Sequence, residues 1–174
     1  MQNPFTLTFG KSPLEPVERP LPTMEIVDTF TAETVNQQMF IITGVRGSGK
    51  TVMMTEIARR LREREDWVVI ELNPATDLLQ GMLAKLNSNK VCAAIIKSAK
   101  IDLSFFGFGV AIEGVPPLTD TETAIITILE KLKKQDKRLL ITIDEVTNND
   151  YMKVFAGSFQ IFVKQDLPVF LLAT

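Results

Sequence analysis

Gly44-Val45-Arg46-Gly47-Ser48-Gly49-Lys50-Thr51 sets three glycines, a lysine and a threonine at a spacing suited to holding phosphate. The glycines let successive backbone N–H groups turn inward, and a helix starting near Lys50 adds the positive end of its dipole to the same concavity. Lys50 would reach the β- and γ-phosphates of a nucleotide as a point charge, and the Thr51 hydroxyl would take one coordination place on Mg2+. A second stretch, Leu139-Leu140-Ile141-Thr142-Ile143-Asp144-Glu145, is an apolar run ending in two carboxylates. Asp144 suits the metal, directly or through water, and Glu145 suits orienting or deprotonating a water that attacks the γ-phosphate. The chain has no histidine and a single cysteine, Cys92, which removes the commonest zinc ligand, the commonest general base and any internal disulfide framework. Chemistry here must rest on carboxylates, Lys, Arg and a metal.

Both stretches need elements to position them. Met39-Phe40-Ile41-Ile42-Thr43, directly before the glycine loop, is the near-continuous apolar run of a strand covered on both faces. A helix over residues 50–64 follows, with Val52, Met53, Ile57, Ala58 and Leu61 inward. Its outer face, Glu56, Arg59, Arg60, Arg62, Glu63 and Arg64, carries mixed signs and reads as a solvated face in preference to a nucleic-acid contact. Trp67-Val68-Val69-Ile70-Glu71-Leu72 is a second strand, broken by Asn73-Pro74. Asp77 caps a helix with Leu78, Leu79, Met82, Leu83 and Leu86 at helical spacing, which Asn87-Ser88-Asn89 bends before further helix over residues 91–100.

Residues 101–113 alternate, with Leu103, Phe105, Gly107 and Gly109 on one face and Asp102, Ser104, Phe106 and Phe108 on the other. That pattern predicts a β-hairpin turning near Phe106-Gly107, its aromatics packed on the parent domain. Thr119-Asp120-Thr121-Glu122 reads as a capping box for a helix to about Lys134, with Ala124, Ile125, Ile128, Leu129 and Leu132 inward. A helix from Tyr151 to about Lys164 draws its apolar surface from Met152, Phe155, Phe159, Ile161, Phe162 and Val163. Residues 169–174 then form a last buried strand, and Thr174 ends where a polar side chain faces the crevice that Asp144 also faces. At the other end, residues 1–22 hold Pro4, Pro13, Pro16, Pro20 and Pro22 and read as an extended arm that includes the alternating Phe5-Thr6-Leu7-Thr8-Phe9. A short helix over residues 24–35 follows it.

The expected organisation is therefore an arm, residues 1–22, and one α/β core, residues 23–174, with an insertion at about 101–114: three layers around a mainly parallel sheet. A composition of 45% hydrophobic and 23% charged residues is that of an ordinary globular domain. A formal net charge of −2 exerts no overall pull toward nucleic acid or an anionic membrane, and leaves a DNA or protein partner equally open. The N-terminus lacks a basic-then-apolar leader, and no apolar run reaches the length of a membrane span, so a cytoplasmic location is expected.

With both motifs placed, the sequence resembles the P-loop ATPases of the additional-strand class, and within them the AAA-like group that includes STAND and origin-recognition-type ATPases of bacteria and archaea. GVRGSGKT is similar to the Walker A loop of that group, LLITIDEV to its Walker B strand and VFLLAT to its sensor-1 strand, a likeness spanning about residues 39–174. The resemblance implies ATP and Mg2+, with Lys50 and Thr51 in the phosphate and magnesium roles, Asp144 on the metal, Glu145 on the water and Thr174 sensing the γ-phosphate. It implies that the arm helps to cover the adenine. Families of this class set the phosphate-loop strand between the last strand and the sensor-1 strand. No further strand, lid domain, second sensor or clear arginine finger follows Thr174, so the edge at residues 39–43 is expected to be open. The chain would then be the N-terminal part of a longer protein, or residues 5–9 or a second copy would cover that edge.

Three functions can use these residues. One is an ATPase whose hydrolysis drives a conformational change. Another is a nucleotide-dependent switch or scaffold that binds ATP with little turnover and presents a surface to a partner. The third, a small-molecule or nucleotide kinase, is disfavoured by the adjacent Asp144-Glu145 pair and the lack of an arginine-rich lid.

Overall fold

The structure, a computed structural model, describes residues 20–109 and 111–174. Strands β1 (Met39–Ile41), β2 (Trp67–Leu72), β3 (Arg138–Ile143) and β4 (Val169–Ala173) form one all-parallel sheet in the order β1-β4-β3-β2. Parallel neighbours require crossovers, and helices supply them. Helix α1 (Pro20–Thr31) precedes β1, and α2 (Lys50–Arg62) joins β1 to β2. Helices α3 (Leu78–Ser88), α4 (Lys90–Ser98) and α5 (Thr121–Lys133) lie between β2 and β3, and α6 (Asp150–Lys164) joins β3 to β4.

Strand residues alternate between two cores, as the pleat dictates. Leu139, Ile141, Ile143, Val169, Leu171 and Ala173 face the layer of α3 to α6, where Phe155, Phe159 and Phe162 pack on them. Leu140, Phe170 and Leu172 face α1 and α2, meeting Ile26, Phe30, Met54, Ile57 and Leu61. This is the three-layer α/β fold expected from the sequence. Phe30 and Phe162 are fully buried, and burial of one such side chain is worth about 1.5–3 kcal/mol. The ion pairs of α2 are solvent-accessible on at least part of each side chain and worth about 0–1 kcal/mol each, so apolar burial holds the layers together. Two arginines of that face are engaged by its own carboxylates: Glu56 accepts from Arg59 and Arg60, which pull its pKa down to about 2, and Glu63 accepts from Arg59. The solvated reading of this face fits those pairings.

Several local expectations are corrected. The hairpin over residues 101–113 does not form: Ser104–Phe106 is a single 3-10 turn ended by Gly107 at φ 78°, and Gly109 follows at φ 75°. The cause is Asp102, whose side chain is 2% exposed. Its carboxylate accepts from the amides of Ser104 (2.9 Å) and Ile112 (2.8 Å), and its carbonyl accepts from Leu118 N–H (3.0 Å), closing the segment as a loop. Those bonds take the amides that strand pairing needs. Phe106 and Phe108 pack against the core, but Phe105 is 62% exposed.

The capping box is also absent. Asp120, not Thr119, caps α5 by accepting from Thr123 N–H at 2.7 Å, and Glu122 accepts from the Ser158 hydroxyl of α6. Helix α1 spans Pro20–Thr31, overlapping the predicted arm, and at its C-terminal end the Arg138 guanidinium donates to the carbonyls of Phe30 (2.6 Å) and Ala32 (3.2 Å). Prolines suit its first turn, where the amides have no partner. The rest of the arm, with Phe5 and Phe9, lies outside the described residues. In α2, Met54 takes the inner place expected for Val52, which is half-buried. In α6, Ile161 and Val163 are 37% exposed.

Strand β1 lies at the sheet edge with β4 as its one partner among the described residues, and Ile42 N–H extends that pairing to Ala173 O at 2.8 Å. Met39 and Ile41 stand on the α6 side of the sheet and are 44% and 58% exposed, so no described residue covers that edge; residues 5–9, the segment expected as a possible cover, lie outside the described residues. Among the described residues, no helix is long and apolar enough to cross a membrane.

Candidate functional site

All four strands end on the same side of the sheet, so the loops that follow them share one crevice. The loop after β1 turns at Gly44 (φ 155°), Gly47 (φ 79°) and Gly49 (φ 83°). The φ of Gly44 is one that side chains rarely adopt, and a Cβ there would lie 2.8 Å from the Ser48 side-chain oxygen, which would have to rotate away. Gly49 is the N-cap of α2 and offers no side-chain acceptor to the helix's first amides. Those donors, with the helix dipole behind them, are what an anion would engage. Lys50 folds back over the loop, its Nζ donating to Gly44 O (3.0 Å) and Val45 O (3.1 Å). The loop's remaining residues Val45, Arg46 and Gly47 are exposed and Ser48 is half-buried.

Across the crevice, β3 delivers Asp144 on the sheet face that α2 covers. Thr51, in the first turn of α2, donates its hydroxyl to Asp144 Oδ1 at 3.3 Å, across 93 residues of sequence. The same Oδ1 accepts from the Thr174 hydroxyl at the end of β4 and from the Glu145 amide at 3.1 Å. Thr174 Oγ1 in turn accepts from the Glu145 amide at 3.0 Å, and Thr174 O accepts from Val146 N–H at 2.9 Å. These bonds join Thr51, Asp144, the Glu145 backbone and Thr174 in one cluster, with Lys50 next to Thr51 at the start of α2. The hydroxyl of Thr174 has one proton, and here it is given to Asp144.

Glu145 has φ 54°, a left-handed backbone unusual for a non-glycine residue, and its carboxylate is exposed with no hydrogen bond among the described residues. What holds it is backbone. The far end of its loop is tied by Asn149, the residue before α6. Its Oδ1 accepts from Met152 N–H at 2.8 Å as the N-cap of α6, while its Nδ2 donates to Pro74 O (2.8 Å) and Thr147 Oγ1 (3.0 Å). An asparagine before a helical stripe signals the cap, but the reach to Pro74 depends on β2 and β3 being neighbours.

A first-turn threonine touching a carboxylate from the strand two places away in the sheet, beneath a glycine-built anion loop, belongs to the P-loop NTPase class. The finer assignment comes from comparison. A family model described as an ATPase domain predominantly from Archaea matches residues 27–165, well over half of the chain, and the chain belongs to that family. An ATPase domain family implies ATP as the substrate. No curated protein matches the chain.

Proposed function

We propose that the domain binds ATP together with Mg2+ and hydrolyses it, as an AAA-like cytoplasmic ATPase whose turnover drives a conformational change. The observation that carries this reading is the approach of Thr51 Oγ1 to Asp144 Oδ1 at 3.3 Å. Two adjacent oxygen ligands of an octahedral Mg2+, each at about 2.1 Å, stand about 3 Å apart, so this hard-oxygen pair fits the ion. Bound there, the ion would neutralise charge on the β- and γ-phosphates. The amides of the glycine loop and Lys50 would cradle the phosphates, and Glu145 would orient and deprotonate the attacking water. Thr174 would turn its hydroxyl proton from Asp144 to a γ-phosphate oxygen, a donor specific to the triphosphate.

A second reading, an ATP-dependent switch with little turnover, draws on the Glu145 carboxylate, which is exposed and has no side-chain partner among the described residues: such a base is held in line less firmly. One comparison separates the two. ATP binding is measured by titration and phosphate release with protein in excess, for the chain and for Glu145→Gln and Lys50→Ala. Hydrolysis requires that Glu145→Gln keep binding and lose release, and that Lys50→Ala lose both. Equal release in all three removes the hydrolytic assignment, and tight binding with negligible release in the wild type supports the switch.

A further inference from the structure

We propose that Asn149 is a positioning residue that sets the height of the Glu145 loop against the loop following β2. The inference rests on the hydrolytic reading for its kinetic arm and on geometry alone for the other. The loop of residues 144–149 is anchored at its near end by backbone bonds from Glu145 and Val146 to Asp144 and Thr174. Nothing among those bonds fixes the far end. There a single half-buried carboxamide uses its oxygen on α6 and its two N–H groups on Pro74 O and Thr147 Oγ1, while Asn149 N–H donates to Thr147 O at 3.0 Å.

Three segments therefore meet at one planar group: the start of α6, the loop bearing Glu145, and the Asn73-Pro74 turn at the end of β2. Asn73 itself builds that turn, its Oδ1 accepting from Ala75 N–H at 2.9 Å and its carbonyl from Thr76 N–H at 3.3 Å, so Pro74 O is a stationary acceptor. Because the Glu145 carboxylate has no bond of its own among the described residues, its placement depends on its backbone, and its backbone is suspended between Thr174 and Asn149. Helix capping and loop bridging reside in different atoms of the same side chain, so chemistry can separate them.

Asn149→Asp keeps an oxygen for Met152 N–H and removes both bridging donors, and Asn149→Ser keeps a capping oxygen without adding charge. In both variants, amide exchange at Glu145 and Val146 should accelerate at least about tenfold while α6 keeps its protection. Phosphate release should fall about tenfold with ATP affinity unchanged, the consequence of a misplaced base. In the Glu145→Gln background, Asn149→Asp should bring no further loss. Unchanged exchange at residues 145 and 146 in both variants overturns the proposal whether or not ATP is hydrolysed. Equal release by the wild type and Glu145→Gln defeats the hydrolytic reading instead, and exchange alone then decides whether Asn149 holds the loop. A full further loss on adding Asn149→Asp to Glu145→Gln shows that the residue acts elsewhere and overturns its positioning role.

Discussion

Thr174→Val deletes one hydroxyl from the centre of the site and keeps the β-branched shape that ends β4. The lost bond runs from a hydroxyl to a carboxylate, a class worth about 1.5–3 kcal/mol. Both Thr174 and Asp144 are half-buried, so water replaces part of it, and the Glu145 amide keeps its 3.1 Å bond to Asp144, leaving no donor stranded. About 1–2 kcal/mol of stability should therefore go, most of a single charge-assisted bond. For a chain of this size that is a fall of roughly 2–8 °C in Tm, at about 2–4 °C per kcal/mol. Turnover should fall further than this, because the same proton is the one proposed for the γ-phosphate, and removing one such donor costs about a hundredfold to a thousandfold in rate. Almost all of the variant remains folded at assay temperature, so unfolding does not account for that loss.

Thermal unfolding without nucleotide and phosphate release with protein in excess read the two effects separately, and Thr174→Ser should restore both. A Thr174→Val protein melting with the wild type would show that the node around Asp144 contributes nothing to the empty fold. Undiminished release would remove Thr174 from the chemistry.

Gly44→Ala should weaken ATP binding while leaving the sheet folded, since φ is 155° and Ser48 Oγ, 2.8 Å from the added Cβ, would have to turn out of its place in the loop; titration with ATP alongside far-UV circular dichroism reads both. Phe162→Ala should cost about 3–5 kcal/mol in denaturant unfolding, whereas Phe105→Ser, at a side chain 62% exposed, should leave the midpoint within error of the wild type. The Asp102 carboxyl is held below the usual range by the Ser104 hydroxyl and the Ile112 and Ser104 amides. A depressed folded pKa means that its contribution is complete above the unfolded value of about 3.9 and is lost as pH falls below that value. Asn at position 102 cannot accept from both amides, so the Tm gap between wild type and Asp102→Asn should be constant near neutrality and should close in acid; a gap that widens on acidification contradicts the assignment.

The long-range contact at the heart of the site was legible in the sequence because topology, not side-chain detail, produces it. Thr51 and Asp144 lie 93 residues apart, yet each follows from a local signal: a glycine loop opening a helix, and an apolar strand ending in acid. Parallel strands separated by helices place their carboxyl ends on one side, so the two ends must converge. The contacts that were not foreseen share a different cause. Asp102 captures an amide 10 residues away, Asn149 a carbonyl 75 residues away, and the Arg138 guanidinium a carbonyl 108 residues away at the end of α1. Each joins one polar side-chain atom to one backbone atom of a distant segment, and neither periodicity nor propensity encodes such a pairing. Alternation of Phe and Gly after Leu103 favours a hairpin only while the amides of Ser104 and Ile112 are free; a carboxylate buried between them makes the loop the better-satisfied state. The same asymmetry explains why the phosphate loop was read residue by residue while the support of Glu145 was missed. Loop glycines answer to backbone geometry written in consecutive residues. The placement of Glu145 answers to whatever holds its backbone: in this fold Asp144 and Thr174 at one end of its loop and, at the other, Asn149 bonded to the turn after β2.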